Sequence, residues 1–462
     1  MYTLKINNQE AFSHTEGFSS GITEILSGHL PRIYVFAIGG SGARVLTSLT
    51  MLCATGLLNG FDIVPVLFDF DGESSCVLKT KELLILYSKI QKIINGKSSI
   101  FWGSSIKEYV PEFEFSLHQE ERSVIEKYNL QDKGRTPDLM DLAESLCGDD
   151  LKIKSNVKKP NILRLKLGNI DEYSEFNKLI QRINPDDRIV VVGSSIGVTS
   201  SAIIYEITRA FKTTVMRKAL VLLLPESNEE QNDYVSLQSN EYMSNAGKEM
   251  LRYYEAMRIQ DNYDAVYYVS LGNERCLYGG SQQINSIGEL VGSLAVYDFA
   301  KNQCSSNKEQ MYYSLPIGLE GKITLIDFMR NSHELEAMKD LVRFACAVKF
   351  IKDNEKIKLP SEIRKFGALF CQWVDEMSRA DSLKFEFVDF ECEELHNFIK
   401  GVSFTRASFW YKIFHFGKGR PLFSTREIMK KIKFSEDESL ETCLGVLAGE
   451  SDLLTSQIFR NI

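Results

Sequence analysis

Two short segments combine small, flexible and hydroxyl-bearing residues in a way that suits phosphate chemistry. The first is Gly39-Gly40-Ser41-Gly42-Ala43-Arg44, directly after the apolar run 33–38. The second is Gly193-Ser194-Ser195-Ile196-Gly197-Val198-Thr199-Ser200-Ser201, directly after the apolar run 189–192. A glycine-rich turn between a buried strand and a helix lets backbone N–H groups approach an anion closely, and the helix dipole behind them favours negative charge. Neither segment has the spacing G-x-x-x-x-G-K-[ST] of a P-loop or G-x-G-x-x-G of a dinucleotide fingerprint. The acidic stretch Asp69-Phe70-Asp71, after a third apolar run at 63–68, adds two carboxylates suited to the hydroxyls of a ribose. The histidines offer little by comparison: His333, His396 and His415 lack a serine, cysteine or acid at catalytic spacing.

These segments need a scaffold, and the pattern around them supplies one. The runs 33–38, 63–68, 189–192, 219–224 and 265–269 are apolar at consecutive positions, as strands buried on both faces require, and 162–167 is a further strand candidate. Helical spacing follows several of them, at 45–52, 79–94, 173–183 and 202–211. The expected fold class is α/β, a doubly wound parallel sheet, in which ligands bind outside the carboxyl ends of the strands. Beyond about 285 the pattern changes to long helices, among them one through Val342, Phe344 and Val348 and one through Phe366, Phe370 and Trp373, with a strand candidate at 322–327. The expected divisions are an N-terminal extension 1–30, a nucleotide-binding domain 31–283, a central helix 284–303 and a mainly helical (α+β) C-terminal domain 304–462.

Composition narrows the class of partner. The 462 residues are 44% hydrophobic and 25% charged, which disfavours bulk disorder, collagen and coiled coil. A net charge of −8 argues against a globally cationic binder of nucleic acid or membrane. Nine scattered cysteines form no C-x-x-C pair, as expected of reduced cytosolic thiols without a structural metal. The first thirty residues lack a signal-peptide core and no apolar run approaches membrane-spanning length, so a cytoplasmic protein is expected. Between 401 and 433 eight basic residues interleave with aromatics and precede an acidic tail. Helix packing with lysines facing water is preferred there over nucleic-acid binding, and head-to-tail charge pairing between subunits is a further option.

Taken in order, the segments resemble the tubulin/FtsZ superfamily over roughly residues 31–300, closest to its divergent bacterial members. Residues Gly39, Gly40, Ser41, Gly42, Ala43 and Arg44 look like that family's first glycine loop, and Asp69 and Asp71 stand where its second loop lies. Ser194, Ser195, Gly197, Val198, Thr199 and Ser200 are similar to its G-G-G-T-G-[ST]-G signature, with Val198 and Ser200 in place of two glycines. Asn273 matches the sugar-binding asparagine, and Asn285 and Glu289 are the candidates for the base edge. The resemblance implies a Rossmann-type nucleotide domain binding GTP or GDP, with Mg2+ as the accompanying ion, and self-assembly into a filament or oligomer. It also implies hydrolysis by acids on a loop after the central helix. Asp327 is the one match, and Arg330 stands where the second acid belongs, so weak or absent GTP hydrolysis is expected. A non-hydrolysing scaffold subunit of a larger bacterial assembly, with other proteins as partners, is the alternative. The first loop and the pair Asp69 and Asp71 also resemble ThiF-like ATP-dependent adenylation enzymes, but no matching arginine-glutamine segment follows.

Overall fold

A computed structural model describes residues 30–69, 74–94, 100–107, 114–116, 174–195, 197–212, 214–225, 250–271, 287–301, 311–314, 332–353, 359–380 and 440–460. The expected strand at 322–327, the strand at 162–167 and the basic-aromatic stretch 401–433 lie outside these residues. The elements in chain order are β1 (Arg32–Ile38), α1 (Gly39–Ala54), β2 (Asp62–Asp69), α2 (Ser75–Ile94), β3 (Ser105–Ile106), β4 (Glu114–Ser116), α3 (Ser174–Gln181) and β5 (Arg188–Ser194). They continue with α4 (Val198–Ala210), β6 (Arg217–Pro225), β7 (Ala265–Leu271), α5 (Ile287–Lys301), β8 (Met311–Ser314), α6 (Ser332–Asp353), α7 (Ser361–Ala380) and α8 (Leu440–Arg460).

All strand pairings are parallel, in the order β3-β2-β1-β5-β6-β7-β8, with β4 also pairing with β2. Pro65, which can donate no ladder bond, falls between the stretches of β2 that pair with β3 and β4. Strand order reverses at β1, whose neighbours are β2 and β5. That reversal opens the crevice where an open α/β sheet binds its ligand.

Of the expected strands, those at 33–38, 63–68, 188–192, 219–224 and 265–269 are strands of the sheet. In β1, Ile33, Val35 and Ala37 belong to one apolar core together with α1, α2, α5, α6, α7 and α8. Tyr34, Phe36 and Ile38 belong to a second core with α3, α4 and residues 250–263. Helices therefore cover both faces, unequally. α5 is buried from residue 288 to 300, as a helix apolar all round must be. It lies against α1 where Gly292 meets Val45, a Cβ there falling 3.1 Å from Val45 Cγ2. Arg188 closes its C-terminal end by donating to the carbonyls of Phe299 and Ala300. On the thinner face Lys218 does the same beyond α4, its Nζ donating to Phe211 O at 3.1 Å and Thr214 O at 2.8 Å. Burial lowers that ammonium's pKa from its ordinary value while Asp264 pulls it back up.

Three differences from the sequence expectation bear on the site. Helical hydrogen bonding in α1 begins at Gly39 itself and in α4 at Val198, so both expected turns are largely the first turns of helices. Asp69 is the last residue of β2 rather than part of a loop. The edge strands β3, β4 and β8, two to four residues long, were not anticipated. Such lengths carry no readable period.

Candidate functional site

The crevice is formed where β1 and β5 deliver their helices to opposite faces of the sheet. Gly39 makes the reversal from β1 into α1 at φ +66, a conformation that costs an L-residue roughly 1–2 kcal/mol. A Cβ on it would fall 3.3 Å from Thr199 Cβ, so the N-terminal turns of α1 and α4 are in contact. Gly42 serves packing: its Cβ would lie 2.7 Å from the carbonyl carbon of Ala37 and 2.9 Å from Val192 O. Only glycine lets α1 lie this close to β1 and β5.

Neither helix is capped by a side chain, and neither has an acid in its first turn. The N-cap positions are Ile38 and Gly197, neither of which has an oxygen to offer. The first N–H groups of an α-helix have no intrahelical acceptor. Two such ends meeting at the switch point form a donor-rich, positively polarised spot.

The hydroxyls of the second segment divide by task. Ser200 Oγ donates to Ile38 O and accepts from Ser194 N, both at 3.1 Å, stapling the end of β1 to the end of β5. Gly193 leaves room for it, since a Cβ there would lie 2.9 Å from Ser200 Oγ. Ser201 Oγ reaches Ser195 O at 3.4 Å, and Thr199 Oγ1 reaches Asp69 Oδ1 at 3.4 Å. Ser74 Oγ meets the other oxygen of Asp69, also at 3.4 Å. Ser195 differs: its side chain is 1% exposed and its Oγ finds no hydrogen-bond partner among the described residues. A buried hydroxyl left unpaired costs about 1–3 kcal/mol, which a bound acceptor would recover.

Arg44 and Glu289, both expected at the nucleotide, are brought together with each other. Arg44 Nε donates to Glu289 Oε1 at 2.8 Å, the two side chains being 5% and 1% exposed. Arg44 Nη2 also reaches Ser41 Oγ at 3.3 Å and Nη1 approaches Cys76 Sγ at 3.9 Å. The guanidinium thus ties the first turn of α1 to the first turns of α5 and α2. A buried ion pair of this kind holds elements in register; breaking it by removing one partner is strongly destabilising.

Of the remaining candidates, Gly40 and Ala43 lie in the first turn and a half of α1, with Ala43 buried. Gly197 precedes α4, and Val198 opens it. Asp71, Asn273, Asn285 and Asp327 lie outside the described residues. Ser74 and Ser201 were not anticipated. Their serine-rich surroundings gave no sign of which hydroxyl would serve the site. Among the described residues no group of three or more histidines, cysteines or acids is placed to hold a metal ion, and no helix is long and apolar enough to cross a membrane.

Fold and site together define an α/β protein with a Rossmann-like parallel sheet and two helix N-termini meeting at its topological switch point. Comparison with family models, curated proteins and solved structures gives no match.

Proposed function

We propose that the crevice between the N-terminal turns of α1 and α4 binds the phosphates of a nucleotide, a guanine nucleotide on the sequence resemblance. The observation that carries this reading is the contact between two helix N-termini that no side chain caps, with Ser195, whose buried Oγ has no partner among the described residues, two positions before the α4 N-cap. Gly39, Gly40 and Ser41 offer backbone N–H groups from one side, and Thr199 and Ser200 from the other. Asp69, buried at the end of β2 between Ser74 and Thr199, suits a ribose hydroxyl or the Mg2+ that accompanies phosphates.

Preference for guanine and self-assembly into a filament or oligomer rest on the tubulin/FtsZ resemblance alone. Weak or absent hydrolysis follows from Arg330 standing where the second acid of that motif belongs. One observation favours the second reading, a scaffold with an empty pocket: the Thr199 side chain lies against Gly39, on ground that a phosphate would share.

Calorimetric titration of the full chain with GTP, GDP and ATP decides between them. Saturable binding of GTP and GDP, with ATP weaker, is the expected result. No heat with any of the three up to about 1 mM, a concentration that would reveal affinities down to about −4 kcal/mol, rejects the nucleotide reading and leaves the scaffold.

A further inference from the structure

A second concavity lies on the thick side of the molecule, away from the ends of β1 and β5. It is a cleft of about 220 Å3 between α1, α2 and α7. Its apolar wall is made by Met51, Leu83, Leu369 and Trp373. The indole N–H of Trp373 is already donated to Ser48 Oγ at 3.1 Å, so the ring has only apolar surface to offer. An apolar cavity of about 150 Å3 holds a benzene ring, so this volume suits one ring with a short arm.

The charges around the cleft select the arm. Arg44 reaches it, but that guanidinium is neutralised by Glu289. What remains is Lys79 against two carboxylates, Glu82 at the exposed mouth and Glu376, whose side chain is 11% exposed. The lining therefore carries one net negative charge beside an apolar wall. Lys79 Nζ, on a side chain 52% exposed, reaches Glu376 Oε1 at 3.4 Å, and Gln372 Nε2 donates to that same oxygen at 3.1 Å. A carboxylate at the side of an apolar cleft, whose ion pair with Lys79 is long and made by a half-exposed ammonium, is an acceptor for a better-placed cation.

We infer that the cleft between α1, α2 and α7 binds a small primary amine bearing an aromatic or branched apolar group, with Glu376 holding the ammonium and Leu83, Leu369 and Trp373 the apolar body. The Lys79 ammonium gives way to that of the ligand.

The test uses phenethylamine as probe and phenylacetate, equal in size and opposite in charge, as control, both titrated calorimetrically into the full chain. Saturable binding of the amine and not of the acid is expected. Glu376→Gln should weaken the amine at least tenfold, and Leu369→Trp, which fills the cleft, should abolish binding. Lys79→Met changes a half-exposed residue and leaves folding intact. By removing the competing ammonium it should tighten amine binding about two- to five-fold. The proposal is overturned by no saturable amine binding up to about 10 mM, by equal binding of phenylacetate, or by a Lys79→Met variant that binds the amine no better than the native chain.

Discussion

The N-terminal turns of α1 and α4 face each other across the β1–β5 crevice, yet they are built on opposite plans. The α1 turn is glycine: Gly39 supplies a positive φ and Gly42 a close approach to β1, so its side chains contribute geometry and almost no chemistry. The α4 turn is hydroxyl, and most of those hydroxyls are committed to structure, with Ser200 stapling two strands and Thr199 reaching Asp69. Among the described residues, the Ser195 hydroxyl finds no partner. The lesson is that glycines set how closely the chain's own backbone N–H groups can approach a ligand, while a buried polar atom without a partner among the described residues is the place to test for one.

Substitutions can break that contrast in a definite order. The largest effect is expected from Arg44→Met, which strands Glu289 in the interior and should cost about 3–5 kcal/mol in a denaturant melt. Arg44→Met combined with Glu289→Leu should recover most of it, and failure to recover would mean the pair does more than fix register. Gly42→Ala comes next, at about 1–3 kcal/mol, because its Cβ meets backbone atoms that cannot swing aside. A loss under about 0.5 kcal/mol would show that α1 can lift from the sheet. Ser200→Ala removes the staple between β1 and β5 and should cost about 1 kcal/mol by thermal unfolding. Ser195→Ala is the smallest and carries the opposite sign. Deleting an unpaired buried hydroxyl should leave the unliganded chain unchanged or up to about 1 kcal/mol more stable, while nucleotide affinity falls. Destabilisation comparable to Ser200→Ala would erase the distinction between the two serines.

The sheet was legible in the sequence because its central strands are apolar at every position, and β1, β2, β5, β6 and β7 lie where those runs predict. The positions of α3, α6 and α7 were legible from apolar spacing for the same reason. Helix starts were not. Serine, threonine and glycine read as loop residues, whereas Gly39 and Val198 already carry helical hydrogen bonds, because the β1–β5 junction forces each helix to begin at once. The edge strands were hidden by length: Ser105–Ile106 pairs through only two residues, against Asp62 and Ile63. Glu289 was expected at the base edge of a nucleotide; in the structure it pairs with Arg44, 245 residues away on α1, and no local pattern joins the two. The cleft behind α1 is illegible for the same reason, since Lys79 and Glu376 stand 297 residues apart.

The central claim is that a phosphate sits between the two uncapped helix ends, and backbone hydrogen exchange with and without GDP tests it most directly. The amides of Gly40 and Ser41 and of Thr199 lie in first turns, where an α-helix offers no intrahelical acceptor, and should exchange quickly in the unliganded chain. GDP is predicted to slow these amides at least tenfold and to leave the outer turns of α7 unaffected. Protection that appears elsewhere while these amides keep their rates would contradict the assignment.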